Sequence, residues 1–205
     1  MKRPLSFPII RSRIADAPPG SVFVAGDFTG VASGDAANEA LLRLERRGDV
    51  RRVLRGVYEK PWYSYFLRDS VAPDPDKIAN ALARKFGWTI APCGDAALNL
   101  LGVSTQVPSV WTYVSTGPYR DYALETAKIH FKHAANKEFV SGSAASNRVI
   151  QALKALGEAR IGESFFAAFR RALDPAGRKA LLADSQYTTG WIREAIRNIC
   201  RDPAS

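Results

Sequence analysis

The sequence predicts an α+β protein: an N-terminal winged helix-turn-helix, then a small mixed sheet with helices and a helical C-terminus. Three observations predict it. Residues 21–60 read as a short strand, a brief helix, a longer helix and a two-stranded basic ribbon. Residues 110–133 hold three short runs rich in β-branched and aromatic residues. From Ser146 onward the apolar residues recur at helical spacing.

The elements follow in order. Phe7–Ala17 forms a first helix with Ile10 and Ile14 buried, and Pro18-Pro19-Gly20 stops it. Ser33 caps the longer helix, because its hydroxyl accepts from the free amides of the first turn. Ala37, Ala40, Leu41 and Leu44 share that helix's buried face. Gly48 closes it after Arg46 and Arg47, whose charge suits the negative helix end. Asp49–Val53 and Gly56–Glu59 flank a tight turn at Leu54-Arg55-Gly56, and this hairpin is the wing. Asp74-Pro75-Asp76 opens a helix running to Phe86, with Ile78, Leu82 and Phe86 on one face. Trp88–Ala91 is a short strand, and Cys93–Leu101 is a compact helix closed by Gly102. Val110–Ser115, Tyr119–Leu124 and Lys128–His133 are strands, with Thr116-Gly117-Pro118 a turn. Helices follow at Arg148–Leu156, Glu163–Leu173, Pro175–Ala183 and Thr188–Cys200. The expected division is residues 1–68 for the winged domain and 73–205 for a second domain. The second domain comprises an α/β part (73–140) and a helical part (146–205).

Composition narrows the function. The chain has 205 residues and a formal net charge of +9, which favours an anionic partner. Residues 1–72 carry 12 Lys and Arg against 8 Asp and Glu, and residues 128–205 carry 13 against 7. The stretch between them is near neutral. No secretory leader or apolar membrane span is evident, and Cys93 and Cys200 are the only cysteines, far apart. A reducing cytoplasm, no membrane and no disulfide framework are the expectation.

No catalytic constellation emerges. His130 and His133, three apart on a strand, point to opposite faces and do not chelate together, so neither a metal nor a cofactor is expected. With no third histidine, a Ser-His-Asp mechanism has nothing to build on. The run Pro73-Asp74-Pro75-Asp76-Lys77 resembles the opening of a nuclease motif. Its downstream acid-x-Lys is missing, since Glu125 and Lys128 are separated by two residues, and helix capping explains the run.

The basic wing is the leading candidate for DNA contact. Arg51, Arg52 and Arg55 can pair with phosphates or enter a narrow minor groove. Arg51 and Arg52 point to opposite faces, so at most one fully faces a groove. The bland alternative is a solvated ribbon. On the longer helix, with Leu41 marking the core, Asp35, Ala36, Glu39, Arg43 and Arg46 lie outward and Asn38 sits at the edge. Arg43 can read guanine, Asn38 adenine, and Asp35 and Glu39 can accept from cytosine N4. Two acids near the leading end also repel phosphate, which favours selective readout. Ser33, at the helix entrance, is counted with this candidate DNA-binding set.

Two blocks carry a family resemblance. One is the winged module ending in Arg51-Arg52-Val53-Leu54-Arg55-Gly56-Val57-Tyr58. The other is Ala96-Ala97-Leu98-Asn99-Leu100-Leu101-Gly102-Val103-Ser104-Thr105-Gln106-Val107-Pro108, with Tyr-Val-Ser-Thr-Gly-Pro at 113–118. Together, over roughly residues 8–200, the chain resembles the AbiEi antitoxins of bacterial abortive-infection (AbiE-type) toxin–antitoxin systems. The resemblance implies an N-terminal domain that represses its own operon by binding inverted repeats in double-stranded operator DNA. It also implies that the remainder counters a nucleotidyltransferase toxin without a stable complex, the type IV label. Such a protein is no enzyme. On this reading Ser104, Thr105 and Gln106, with Arg170 and Arg171, are the candidate antitoxin surface. The plain alternative for the first three is a turn whose side chains cap backbone groups. For Arg170, Arg171, Lys128, Lys132, Arg148, Lys154, Arg178 and Lys179 it is a solvated face. The rival functions are a winged-helix transcriptional regulator with no toxin partner, and a nuclease, for which no carboxylate cluster is found.

Overall fold

Helix α1 (Ser6–Asp16) buries Ile10 and Ile14, as their four-residue spacing requires. In the computed structural model, which describes residues 6–135 and 143–201, the architecture is α+β. It has two units. One holds the chain up to Trp88 with Leu124–Thr126; the other holds Thr89–Ala123 and the chain from Ala127 onward.

In the first unit the Lys60 ammonium closes α1 by donating to the carbonyls of Ala15 (2.6 Å) and Ala17 (2.7 Å). Strand β1 (Val22–Phe23) leads into a 3₁₀ turn, Ala25–Phe28, whose Asp27 folds back to accept from the Val24 amide. Helix α2 (Gly34–Arg46) starts on Ser33, whose hydroxyl accepts from the Ala36 amide at 3.3 Å. It ends in a Schellman motif: the Gly48 amide donates to Glu45 and the Asp49 amide to Leu44. Gly48 takes φ 77°, a left-handed conformation that favours glycine.

Strands β2 (Arg51–Leu54) and β3 (Val57–Glu59) form the expected hairpin, with a bulge between Arg52 and Leu54 and a turn through Gly56 at φ 72°. Strand β1 pairs with β3, giving the order β1-β3-β2. The core beneath joins Ile10, Ile14, Phe28, Leu41, Leu44, Val50 and Tyr58. Burial holds the Tyr58 hydroxyl above its usual pKa, aided by Glu45 and opposed by Arg52. A second hairpin, β4 (Tyr63–Ser64) with β5 (Asp69–Ser70), was not anticipated, because its two-residue strands are too short to show a period.

Helix α3 (Pro75–Phe86) opens as expected, with Asp74 accepting from the Asp76 amide at 2.9 Å. Its placement differs. The sequence assigns it to the second domain, yet it belongs to the first unit, because three cations tether it there. Lys77 donates to Gly20, Lys85 donates to Arg55, and Arg84 grips both carboxylate oxygens of Asp27 (2.7 and 3.1 Å) and the Val22 carbonyl. Phe86 also departs from expectation. It is exposed and stacks on Trp88 instead of joining Ile78 and Leu82 in burial.

The second unit holds a four-stranded sheet ordered β6-β7-β9-β8. Strands β6 (Ile90–Pro92) and β7 (Val110–Ser115) are antiparallel, β7 and β9 (Lys128–His133) are parallel, and β8 (Arg120–Ala123) pairs antiparallel with β9. The turn at 116–118 therefore joins strands that are not neighbours. Helix α4 (Asp95–Leu100) lies between β6 and β7 in sequence. Helix α5 (Ala144–Leu156) begins four residues before the predicted start, because Ser143, not a later residue, caps it through Ser146. Helices α6 (Glu163–Ala172), α7 (Pro175–Asp184) and α8 (Gly190–Cys200) follow. Their core joins Val149, Ile150, Leu153, Phe169, Leu181, Ile192, Ile196 and Ile199 with Ala97 of α4. The predicted end of the α/β part at residue 140 lies outside the described residues.

Candidate nucleic-acid interface

The amphipathic period of α2 buries Ala37, Ala40, Leu41 and Leu44 and leaves Asp35, Asn38, Glu39, Arg43 and Arg46 exposed. Ala36 is half-buried. The Arg43 guanidinium sits 4.1 Å from the centre of the Phe7 ring, so α1 steadies it while it stays in solvent. Ser33 is exposed and already engaged as the cap of α2.

The arginines of the β2–β3 hairpin separate sharply. Arg52 and Arg55 are exposed. Arg51 is half-buried and already engaged. Its guanidinium pairs with the Glu59 carboxylate directly across the ladder and also donates to the Val71 carbonyl. Glu59 is only 2% exposed, and a carboxylate buried to that degree needs a cation. The alternation of strand faces foretold that one of the two arginines would turn inward; the buried acid decides which.

Sequence reading missed Lys85. From the last turn of α3 its ammonium reaches the β2–β3 turn, 3.0 Å from where a Cβ on Gly56 would lie. Arg84-Lys85 ahead of Gly87 was legible only as a helix end. Nothing in its spacing points back 30 residues to the ribbon.

In the second unit the candidate surface is only partly exposed. Thr105 and Gln106 face solvent, while Ser104 accepts from the Gln106 amide (3.2 Å) and Asn99 donates to the Gln106 carbonyl (2.8 Å). That bonding matches a capped turn. Arg171 is exposed. Arg170 is not: it donates to the Asn198 and Ile199 carbonyls at the end of α8 and to Glu163, so it serves packing. Arg160 and Arg193 likewise spend their donors on backbone carbonyls of α5 and of the Gln186–Thr188 turn. Lys128 pairs with Asp121 at 2.7 Å. Much of the C-terminal positive charge is therefore committed within the fold.

His130 bonds the same Asp121, which holds that carboxyl below the usual carboxylate range, helped by Lys128. His133 instead meets the Gly117 carbonyl at 2.9 Å. The two histidines thus serve different partners. Among the described residues no helix is long and apolar enough to cross a membrane.

The model of a protein family of unknown function, DUF6088, matches residues 9–176. The chain belongs to that family. The DUF6088 match takes in most of α1, the β2–β3 hairpin, α3, the four-stranded sheet and α5, and it ends at the start of α7. Both proposed surfaces fall inside it, whereas the α8 carbonyls that hold Arg170 fall outside. A search of curated proteins finds none that matches.

Proposed function

We propose that this chain is a winged-helix DNA-binding autorepressor and the antitoxin of an AbiE-type operon, acting in the cytoplasm against a nucleotidyltransferase toxin. The observation that carries the DNA-binding half is the pairing of an exposed basic wing with a polar helix face. Arg52 and Arg55 remain in solvent, with Lys85 bonded to the Arg55 carbonyl, while α2 presents Asn38, Glu39, Arg43 and Arg46 outward. Arginines of this kind supply phosphate and minor-groove contacts, and Asn38 and Arg43 suit base-edge recognition. Asp35 and Glu39 weaken nonspecific attraction, so the affinity should depend on sequence. The toxin-directed half is supported by the sequence resemblance through residues 96–118, with Thr105, Gln106 and Arg171 as its exposed members.

Two experiments test the two halves separately. In a mobility-shift titration with the chain's own upstream DNA, Arg52→Glu and Arg55→Glu should weaken binding and flatten its salt dependence. Unchanged affinity would sink the interface. In a growth assay, the neighbouring gene expressed alone should arrest growth and this chain should restore it. A harmless neighbour would leave a winged-helix regulator with no toxin partner.

A further inference from the structure

The hairpin β4–β5 carries an apolar tip that the DNA-binding reading does not use. Trp62 is 52% exposed, Tyr63 49%, Tyr65 88%, Phe66 95% and Leu67 64%. At 150–250 Å² per aromatic side chain, the four aromatic fractions leave roughly 400–700 Å² of ring surface in water, and Leu67 adds to it. That lies at or above the upper end of the ~300–600 Å² of the largest patch on an ordinary monomer, and it approaches the ~800 Å² each partner contributes to a standard interface.

The tip is built with specific local bonds. Ser64 accepts from the Leu67 amide (3.2 Å), the Val71 amide donates to Trp62, and the Tyr63 and Tyr65 rings meet edge-to-face at 5.3 Å. Arg68 takes φ 52°, a left-handed conformation that is costly for a non-glycine residue. Yet the ladder comprises only Tyr63↔Ser70 and Ser64↔Asp69, and an isolated two-stranded hairpin is marginal in water. Such a hairpin gains most from a cover over its apolar side.

We propose that the cover is a second copy of this chain, joined through the β4–β5 tips about a two-fold axis. Charge selects this occupant. A two-fold interface must be complementary to itself, and the tip carries one cation and one anion side by side, Arg68 and Asp69. Across the axis Arg68 of each copy faces Asp69 of the other. Residues 62–70 are net neutral in a chain of net charge +9, so the patch lacks the excess cations that a phosphate backbone or an anionic bilayer requires. The inference is independent of the proposed function.

Sedimentation equilibrium on the full chain tests it. The wild type should approach twice 22.4 kDa at micromolar concentration. Phe66→Glu should raise the dimer dissociation constant by ~10-fold or more, as the loss of a central aromatic anchor does. Since Phe66 lies outside the core, the circular dichroism spectrum should stay unchanged, and Phe66→Ser provides a second, uncharged variant. Arg68→Glu and Asp69→Lys should each weaken association at low salt, and the double variant should restore it. A wild type of single-chain mass up to roughly 100 μM overturns the proposal. A dimer indifferent to both Phe66 variants does the same. So does a monomer that neutral vesicles, anionic vesicles or a single-stranded oligonucleotide capture through Phe66.

Discussion

Arg51 and Glu59 face each other across the β2–β3 ladder, and their ion pair engages the guanidinium of the first hairpin arginine within the fold. Arg52, its neighbour, points the other way into solvent. Adjacent residues of one type therefore have different work. Arg51→Ala should cost about 2–3 kcal/mol of stability, below the ~3–5 of a fully enclosed pair because Arg51 keeps some solvent contact. Arg52→Ala should change stability by less than ~0.5 kcal/mol. Urea unfolding of both variants checks the split; equal losses would contradict it.

DNA affinity should show the reverse order. Arg52→Ala and Arg55→Ala should each reduce the slope of log affinity against log salt by about one, the signature of one lost phosphate contact. Titration of labelled upstream DNA at several salt concentrations reads this directly. A slope that stays put in both variants would remove the wing from the interface.

Ser33 acts through folding. Its hydroxyl accepts from the Ala36 amide, so Ser33→Ala should lower stability by about 1 kcal/mol. Ser33→Asp should restore it, since aspartate caps equally well and suits the positive helix end. A Ser33→Asp variant as unstable as Ser33→Ala would rule out the capping role.

Asp121 gives the β8–β9 edge a dependence on acid. His130 and Lys128 hold its folded-state pKa below the unfolded value. The pair's contribution is thus present above the usual carboxylate range and is lost as pH falls through the lowered folded value. Carboxyl chemical shifts followed by NMR should place Asp121 below the usual carboxylate range, and His130→Ala should raise its midpoint. An Asp121 midpoint within or above the usual carboxylate range would negate the pairing.

Both thiols should be sluggish. Burial raises the pKa of Cys93 and of Cys200, against the opposing charges of Lys132 and Arg178, so little thiolate is present at neutral pH. Reaction with a disulfide reagent should be slow in buffer and fast in denaturant. Rapid labelling of the folded protein would mean one site opens readily.

The α+β character, the four-residue rhythm of α2 and the starts of α2 and α3 were legible because each depends on residues within one or two turns. Ser33, Gly48 and Asp74 bond to amides and carbonyls a few positions away, and sequence spacing encodes such bonds directly. The exposed positions of α2 followed from the same periodicity. Three features were decided only by tertiary structure. Arg51 turns inward because Glu59 is buried opposite it. Helix α3 joins the first unit because Lys77, Lys85 and Arg84 reach carbonyls and a carboxylate 30 to 62 residues away in sequence. Strand β9 inserts between β7 and β8, although the turn at 116–118 makes those two neighbours in sequence. The sequence by itself determined the longer helices and strands and most of their apolar faces, since local hydrogen bonding and hydrophobic period set both, whereas the two-residue strands β4 and β5 left no period to read. Which cations remain in solvent, and which are consumed as tethers and caps, only the tertiary structure decided, because a charge's partner is chosen by distance in space.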